Sequence, residues 1–241
     1  MESGTVIPTT PRPWRVVALQ TGPAERLLAG GMDLFDNLRP KDDPILRWYR
    51  SDAPAIVLGR GQRDLALAPG AHPVTTRFSG GGAVWLAPDV LSLDVLVPAG
   101  HPWFTDQLGH VFELVGRRWA EALCGLGVND LVVYDGPTTA RRRGTERERL
   151  LAAVCYATRG RGEVLWRGRK LVGLAQRRRR QGAMVQCGML RHWAPQHLLT
   201  SLGADSDDSE ILRAAVGLAE VLPEPPDDAQ IMASVESAFG V

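Results

Sequence analysis

Between Ile45 and Leu190 the chain breaks into short apolar runs separated by proline and glycine, and only after Pro195 does it turn helical throughout. Apolar runs of about 4–8 residues between such breakers have the length of strands. The spacing predicts strands over 14–19, 45–49, 55–58, 74–78, 83–86 and 91–97, then over 130–135, 152–156, 163–166, 170–176 and 182–190. Arg167-Gly168 stands where a hairpin turn belongs. Helical spacing marks 23–37, with Thr21 as a candidate cap, and 105–126. In the latter, Leu108, Val111, Phe112, Val115, Trp119, Leu123 and Leu126 form one stripe that stops at Gly127, a helix C-cap. Segment 137–149, with Arg141-Arg142-Arg143, reads as a mobile polar loop. Helices are expected over 198–202, 211–222 and 231–239, joined by linkers at 205–209 and 223–228. Strands in the middle and helices at the end make an α+β chain rather than an alternating α/β one.

At 44% hydrophobic and 23% charged residues, the 241-residue chain can bury a full core, which excludes disorder over its whole length. Residues 1–13, rich in Thr and Pro, are expected to form a disordered tail. A net charge of +1 supplies no global field toward nucleic acid or membrane, and neither is expected as a partner. The apolar stretch 90–97 is far shorter than the ~18 residues of a membrane helix, and the N-terminus has no signal-peptide core. The cysteines, Cys124, Cys155 and Cys187, are odd in number and lack metal-pair spacing. They read as reduced thiols of a cytoplasmic protein with no metal site, each compatible with a small buried hydrophobe.

The chain contains 26 arginines and two lysines, Lys41 and Lys170. Where arginine serves almost every positive charge, a lysine inside Arg167-Gly168-Arg169-Lys170 reads as chosen for a compact, movable ammonium. The alternative is one more exposed charge. In Arg77-Phe78-Ser79-Gly80-Gly81-Gly82-Ala83-Val84, three glycines strip the side chains from a stretch between two strands. The segment fits neither the dinucleotide fingerprint nor a P-loop. It is either a loop that packs closely on a ligand or a plain glycine-rich turn, and Arg77 beside it would suit a carboxylate or phosphate. A second region, 155–190, gathers a thiol (Cys155), an acid (Glu163), Lys170 and Gly173-Leu174-Ala175-Gln176, followed by arginines 177–180. That run is either a solvated hairpin face or a grip for an acidic partner.

These segments resemble the biotin/lipoate protein ligase superfamily, in its lipoate-protein ligase and octanoyltransferase branch. Leu46-Arg47-Trp48-Tyr49 through Pro54 and Leu58-Gly59-Arg60-Gly61-Gln62 is similar to the branch's Arg-x-Tyr, Pro and Leu-Gly-x-x-Gln segment. Arg77 to Val84 resembles its Arg-x-Ser/Thr-Gly-Gly-Gly-Ala-Val loop, and Gly168 to Gln176 its Gly-Arg-Lys-Ile-x-Gly-Ser-Ala-Gln. Cys155-Tyr156 resembles the Cys-Phe of the cysteine-dependent octanoyltransferases.

The resemblance implies a central mixed, largely antiparallel sheet flanked by helices. It implies a catalytic domain over 14–194, with 195–241 as a helical extension of the same domain. The implied activity is transfer of an octanoyl or lipoyl group from an acyl donor to a lysine of an acidic lipoyl carrier domain, a glycine-cleavage H protein or a dehydrogenase E2 subunit. Cys155 would carry the acyl group as a thioester and Lys170 would sit at the acyl carbonyl or a phosphate. Arg77, Ser79, Gly80, Gly81, Gly82, Ala83, Gly173, Ala175 and Gln176 would bind substrate, and the arginine run would face the carrier. The transferase route needs no cofactor; a ligase route would use ATP and Mg2+ with lipoate. A diverged, non-catalytic acyl-binding protein is the reading of another class. The sequence departs from the branch at Leu86 and Cys187, where histidines are usual, and at Leu174, where serine is usual. Among the thiols, Cys124 is expected to be buried in its helix, Cys187 desolvated in a strand, and Cys155 at a strand end facing Arg159 and Arg161.

Overall fold

The computed structural model describes residues 13–70, 72–140 and 143–241. The tail expected over 1–13 lies, up to Arg12, outside the described residues, as do Arg141 and Arg142. In chain order the elements are β1 (Arg15–Gly22), α1 (Ala24–Asp36), β2 (Ile45–Ser51), β3 (Ala55–Leu58), β4 (Val74–Thr76), β5 (Val84–Leu86) and β6 (Val90–Pro98). They continue with α2 (His110–Gly125), β7 (Leu131–Val133), α3 (Glu146–Ala153), β8 (Val164–Trp166), β9 (Arg169–Arg179) and β10 (Gly182–Leu190). The last four are α4 (Gln196–Ser201), α5 (Ser209–Ala214), α6 (Leu218–Val221) and α7 (Asp228–Phe239).

Seven strands form one sheet in the order β1-β2-β6-β10-β9-β8-β7, and three form a second in the order β4-β3-β5. Only β1–β2 and β3–β4 run parallel. This is the α+β, mixed and largely antiparallel architecture expected. The large sheet is covered on both faces, so β6, an inner strand beside the central β10, is buried along its whole length. On one face, Val111, Val115, Trp119 and Leu123 of α2 and Ile231, Val235 and Phe239 of α7 pack on Leu46, Trp48, Leu93 and Val95. On the other, Met32 and Phe35 of α1 meet Ile45, Leu96 and Met184. Beside α1, the small sheet closes over the same face.

A polar thread crosses this interior. Arg47 and Asp94 stand opposite each other in the β2–β6 register and pair at 2.8 Å, both essentially without solvent exposure. Arg47 Nε donates to Gln20 at 2.9 Å. Beyond Asp94, Gln186 of β10 accepts a hydrogen bond from the Ser79 hydroxyl at 2.6 Å. The glycine-rich segment is thereby tied to the middle of the sheet. Burial lifts the Asp94 carboxyl to about 6, against the pull of Arg47.

Several expectations are corrected. Helix α1 starts after Pro23 with no side-chain cap, and Thr21 belongs to β1. Helix α2 begins at His110 rather than 105, leaving Leu108 67% exposed and outside the stripe. The polar loop ends in α3, whose N-terminus is fixed by a capping box between Thr145 and Glu148. Segment 152–156 is therefore the end of α3 and a 3-10 turn, Cys155–Ala157, not a strand. The helix expected over 211–222 splits into α5 and α6 because Ala215 bridges to Lys170 and Val216 N–H donates to the Lys170 carbonyl. The hairpin turn stands as expected: Arg167 and Gly168 take φ of 46° and 81° between β8 and β9.

Asp94 favours the fold most below about pH 4, where an unfolded carboxyl is also protonated, and that contribution is lost as the pH rises through about 6. Arg47→Met strands the carboxylate at neutral pH and should cost about 3–5 kcal/mol there. The loss should shrink at pH 5, where Asp94 can hold a proton. Urea unfolding at both pH values checks this; an equal loss at each would show that Asp94 titrates elsewhere.

Candidate active site

A pocket of about 510 Å3, measured out to its open mouth, lies between the large sheet, the small sheet, α1 and the Cys155 turn. Leu28, Val57, Val84, Leu86 and Val90 make its wall apolar, and Cys155 and Tyr156 close one side.

The position of Cys155 follows from backbone pairing. Ala83 N–H donates to the Ala153 carbonyl at 2.6 Å, and Cys155 N–H returns to the Ala83 carbonyl at 2.9 Å. The end of α3 is thus stitched to the glycine segment. The stitch requires Gly82, where a Cβ would fall 2.7–2.9 Å from Cys155 N and the Ala152 and Ala153 carbonyls. Gly81 takes φ of 100°, a conformation side chains disfavour. A Cβ there would meet Arg77 Nη2 at 2.7 Å and the Cys155 sulfur at 3.7 Å, so the thiol faces this loop. Around Gly80 the space is open.

Arg77 is 5% exposed and organises the loop from within. It donates to the Gly80 carbonyl at 2.7 Å, to Gly82 at 2.8 Å and to Val57 at 3.4 Å. No carboxylate is among these partners, so the pocket wall carries a buried positive charge held by neutral carbonyls. Ser79 spends its hydroxyl on Gln186 beneath the loop.

Lys170 is 1% exposed. Its ammonium lies 2.7 Å from both carboxylate oxygens of Glu163 and donates to the Cys155 carbonyl at 2.8 Å. The Tyr156 ring lies 5.5 Å away. Glu163 also accepts from Gly160 N–H at 2.7 Å; burial raises its carboxyl and Lys170 opposes the shift. The exposed-charge alternative for Lys170 is excluded. The ammonium clamps the Cys155 turn and does not line the pocket.

Sheet alternation sorts the rest of the motif. Gly173 and Gly188 pair across β9–β10, as do Ala175 and Gln186, all on the pocket face. Tyr156, missed as a site residue, lays its ring against Gly173, where a Cβ would come 3.1 Å from Cζ, and donates to the Gly188 carbonyl at 2.7 Å. No local signal joins Gly173 to Gly188, since only the hairpin register brings them together. Leu174 and Cys187 point into the α2 core instead, and Gln176 shares their side of the strand. Desolvation pushes the Cys187 thiol up, and Trp119 lies against it. All three departures from the family pattern border the pocket: Leu86 belongs to the apolar cluster of the small sheet, whereas Leu174 and Cys187 border it along β9 and β10 and also belong to the core beneath α2. Cys124 is exposed rather than buried. Arg159 and Arg161 do not serve the thiol: they bind the Gly168 carbonyl and Glu113.

A family model described as the lipoyl protein ligase A/B catalytic domain matches residues 28–240. No curated protein matches the chain in sequence. A lipoate-protein ligase A bound with ATP superposes at a TM-score of 0.72 and 16% identity, over 96% of this chain and 85% of that one. A bi-partite lipoate protein ligase, studied with its E2 lipoyl domain from Thermoplasma acidophilum, gives 0.71 and 16%, over 96% and 83%. A biotin protein ligase from Aquifex aeolicus in complex with biotin and ATP gives 0.51 and 13%, over 94% and 68%. At these identities the likeness is one of fold.

Two substitutions probe the geometry. Lys170→Arg keeps the charge but forces a larger guanidinium into the space between Glu163, the Cys155 carbonyl and Tyr156. It should cost about 1–3 kcal/mol in urea unfolding, as overpacking does; no loss would mean the site is not sized for an ammonium. Gly81→Val should block entry of an apolar ligand to the pocket while the far-ultraviolet circular dichroism stays native. Normal ligand uptake by that variant would reduce the segment to a turn.

Proposed function

The chain belongs to the lipoyl protein ligase A/B catalytic-domain family, and from that membership we propose that it moves an octanoyl or lipoyl group onto a lysine of an acidic lipoyl carrier domain through a thioester on Cys155. The observation that carries this reading is the Cys155 thiol at an apolar pocket, against Gly81 and a buried arginine with no carboxylate partner among the described residues.

In the first step the Cys155 sulfur attacks the thioester carbonyl of the donor. The new C–S bond forms, the donor's C–S bond breaks, and the Cys155 proton ends on the departing thiol. In the second step the carrier lysine, as a free amine, attacks the Cys155 thioester. The amide C–N bond forms, the C–S bond breaks, and the amine proton restores the thiol. No electrons are exchanged with a redox partner, so neither step needs a cofactor. Two easier transfers replace one difficult one. Arg77 holds the loop that faces the reacting carbon and keeps its positive charge next to the developing oxyanion. The apolar wall excludes water from the thioester. Free thiols of this kind suit a cytoplasmic protein. The acceptor fits a glycine-cleavage H protein or an E2 lipoyl domain, and no helix among the described residues is long and apolar enough to cross a membrane.

The ATP-dependent route of the lipoate-protein ligases would use Lys170 at the phosphate of an acyl-adenylate. In this chain both oxygens of Glu163 already hold that ammonium, and a phosphate would have to displace a buried carboxylate. This supports the thioester route. Cys155→Ser and Cys187→Ser should be incubated with an octanoyl thioester, or with lipoate, ATP and Mg2+, and then with a carrier domain. Intact-mass spectrometry should find one octanoyl group on the wild type and on Cys187→Ser and none on Cys155→Ser, with carrier modification following the same pattern. Full activity of Cys155→Ser with lipoate and ATP would establish the ligase route instead. A wild type inert with both donors would leave a non-catalytic acyl-binding protein.

A further inference from the structure

The arginines at 177–180 are the sequence feature that the acyl pocket leaves unexplained, and strand register separates them. Arg178 pairs with Ala183, donates to the Thr105 carbonyl and lies 3.7 Å over the Phe104 ring, so it is an internal packing residue. Arg179 is tied to Asp36 at the end of α1. Arg177 stands two residues beyond Ala175 on the pocket face of β9. It has no acidic partner among the described residues, and its Nε is buried without a hydrogen bond. Arg60 is tied to the glycine loop from another part of the chain: its backbone N–H donates to the Ser79 carbonyl at 2.9 Å. Its side chain is exposed and likewise has no ion-pair partner among the described residues. Burial, then Arg60 and Arg179, disfavour the Arg177 charge and Asp36 offsets them in part, but Asp36 is itself paired with Arg179, so Arg177 and Arg60 share one local field without an ion pair of their own among the described residues. Phe78, in the same loop, leaves its ring 45% exposed.

Unpaired like charges at a pocket rim repel each other until an anion reaches them. The arrangement sets a focused positive edge and an exposed aromatic ring beside the pocket of a protein whose net charge is only +1. We propose that Arg60 and Arg177, with Phe78, form the docking face for the acidic carrier domain, receiving carboxylates that flank its acceptor lysine. This rests on the acyl-transfer reading above and names the surface that presents the second substrate. A carrier seated there brings its lysine to the glycine loop that the Cys155 thiol faces. Arg178 and Arg179 take no part, since the first packs on Phe104 and the second is held by Asp36 at the surface.

The test separates the two half-reactions in the full-length protein. Octanoyl-N-acetylcysteamine, a small uncharged donor, loads Cys155; an apo lipoyl domain then receives the group, and both steps are followed by intact mass. Arg60→Glu, the milder Arg177→Gln and their combination are compared with Arg118→Glu on α2, across the sheet from the pocket. Loading of Cys155 should be unchanged in all four. The apparent KM for the carrier should rise about tenfold or more in the combined variant at low salt, and wild type and variant should converge as salt screens the charges. An unchanged KM, an equal rise in Arg118→Glu, or slowed loading from the small donor would overturn the docking face. Tighter wild-type binding of random-sequence duplex DNA than of the carrier would overturn it in favour of nucleic acid. If the wild type does not load Cys155, the acyl-transfer reading fails on its own. Carrier binding by fluorescence anisotropy then decides the docking face: salt-sensitive binding weakened by the two substitutions supports it, and absence of binding overturns it.

Discussion

One buried ammonium holds the site together. Lys170 Nζ donates to one oxygen of Glu163 and to the carbonyl of Cys155, and the second Glu163 oxygen lies 2.7 Å away in the same ion pair. A charge taken that far out of water is tolerated only when it is fully paired. The requirement binds three separate pieces of chain, namely β9, the turn at Cys155 and the approach to β8. The effect propagates. With the Cys155 turn clamped, Ala83 and Cys155 can exchange backbone hydrogen bonds, the glycine loop lies against the end of α3, and Arg77 finds the loop carbonyls that satisfy it. The pocket wall is the outer surface of that assembly. A guanidinium, planar and wider, cannot present three donors within the space of one ammonium, which is why a chain that otherwise uses arginine keeps a lysine here.

The two faces of β9 and β10 carry different duties. On the pocket face, Gly173, Gly188 and Ala175 keep the strands bare, and Tyr156 lies flat on the glycines. On the other face, Leu174 and Cys187 belong to the core beneath α2. A strand shows alternate residues to opposite sides, so two of the three departures from the family pattern, Leu174 and Cys187, pack into the core beneath α2 while still bordering the pocket. Leu86 is different, because it belongs to the small sheet's cluster and adds apolar surface to the pocket wall. Its polar contacts belong to the neighbouring framework, where Ser79, Gln186 and Asp94 pin the loop to the sheet.

Charge is handled the same way, by position more than by number. Of four consecutive arginines, the strand sends Arg178 toward Phe104 and Arg179 to Asp36, leaves Arg177 in the field of Arg60, and ends before Arg180, which is exposed in the turn. Counting charges along the sequence treats them as one patch. Only their partners separate cations used for packing from cations left for something outside.

What the sequence determined by itself was local or motif-borne. Apolar runs between prolines and glycines located nearly every strand, because strand length and breaker chemistry are short-range properties. The Arg167-Gly168 turn was legible because a glycine falls between two apolar runs of strand length, and Gly168 takes the positive φ that glycine tolerates. The glycine loop and the segment around Lys170 carried the family, and with it the sheet architecture. Helix α3 was not legible: it is short and polar, and its apolar residues Leu150 and Leu151 do not make a helical stripe that can be told from a strand. The break between α5 and α6 came from a hydrogen bond to Lys170, far away in sequence. Tertiary structure alone decided that Lys170 pairs with Glu163, that Arg77 turns inward, that Cys155 faces the pocket while Cys187 faces Trp119, and which arginines stay free. Each of these depends on which strands become neighbours and on which face a residue falls, and a one-residue change of register would reverse the answer.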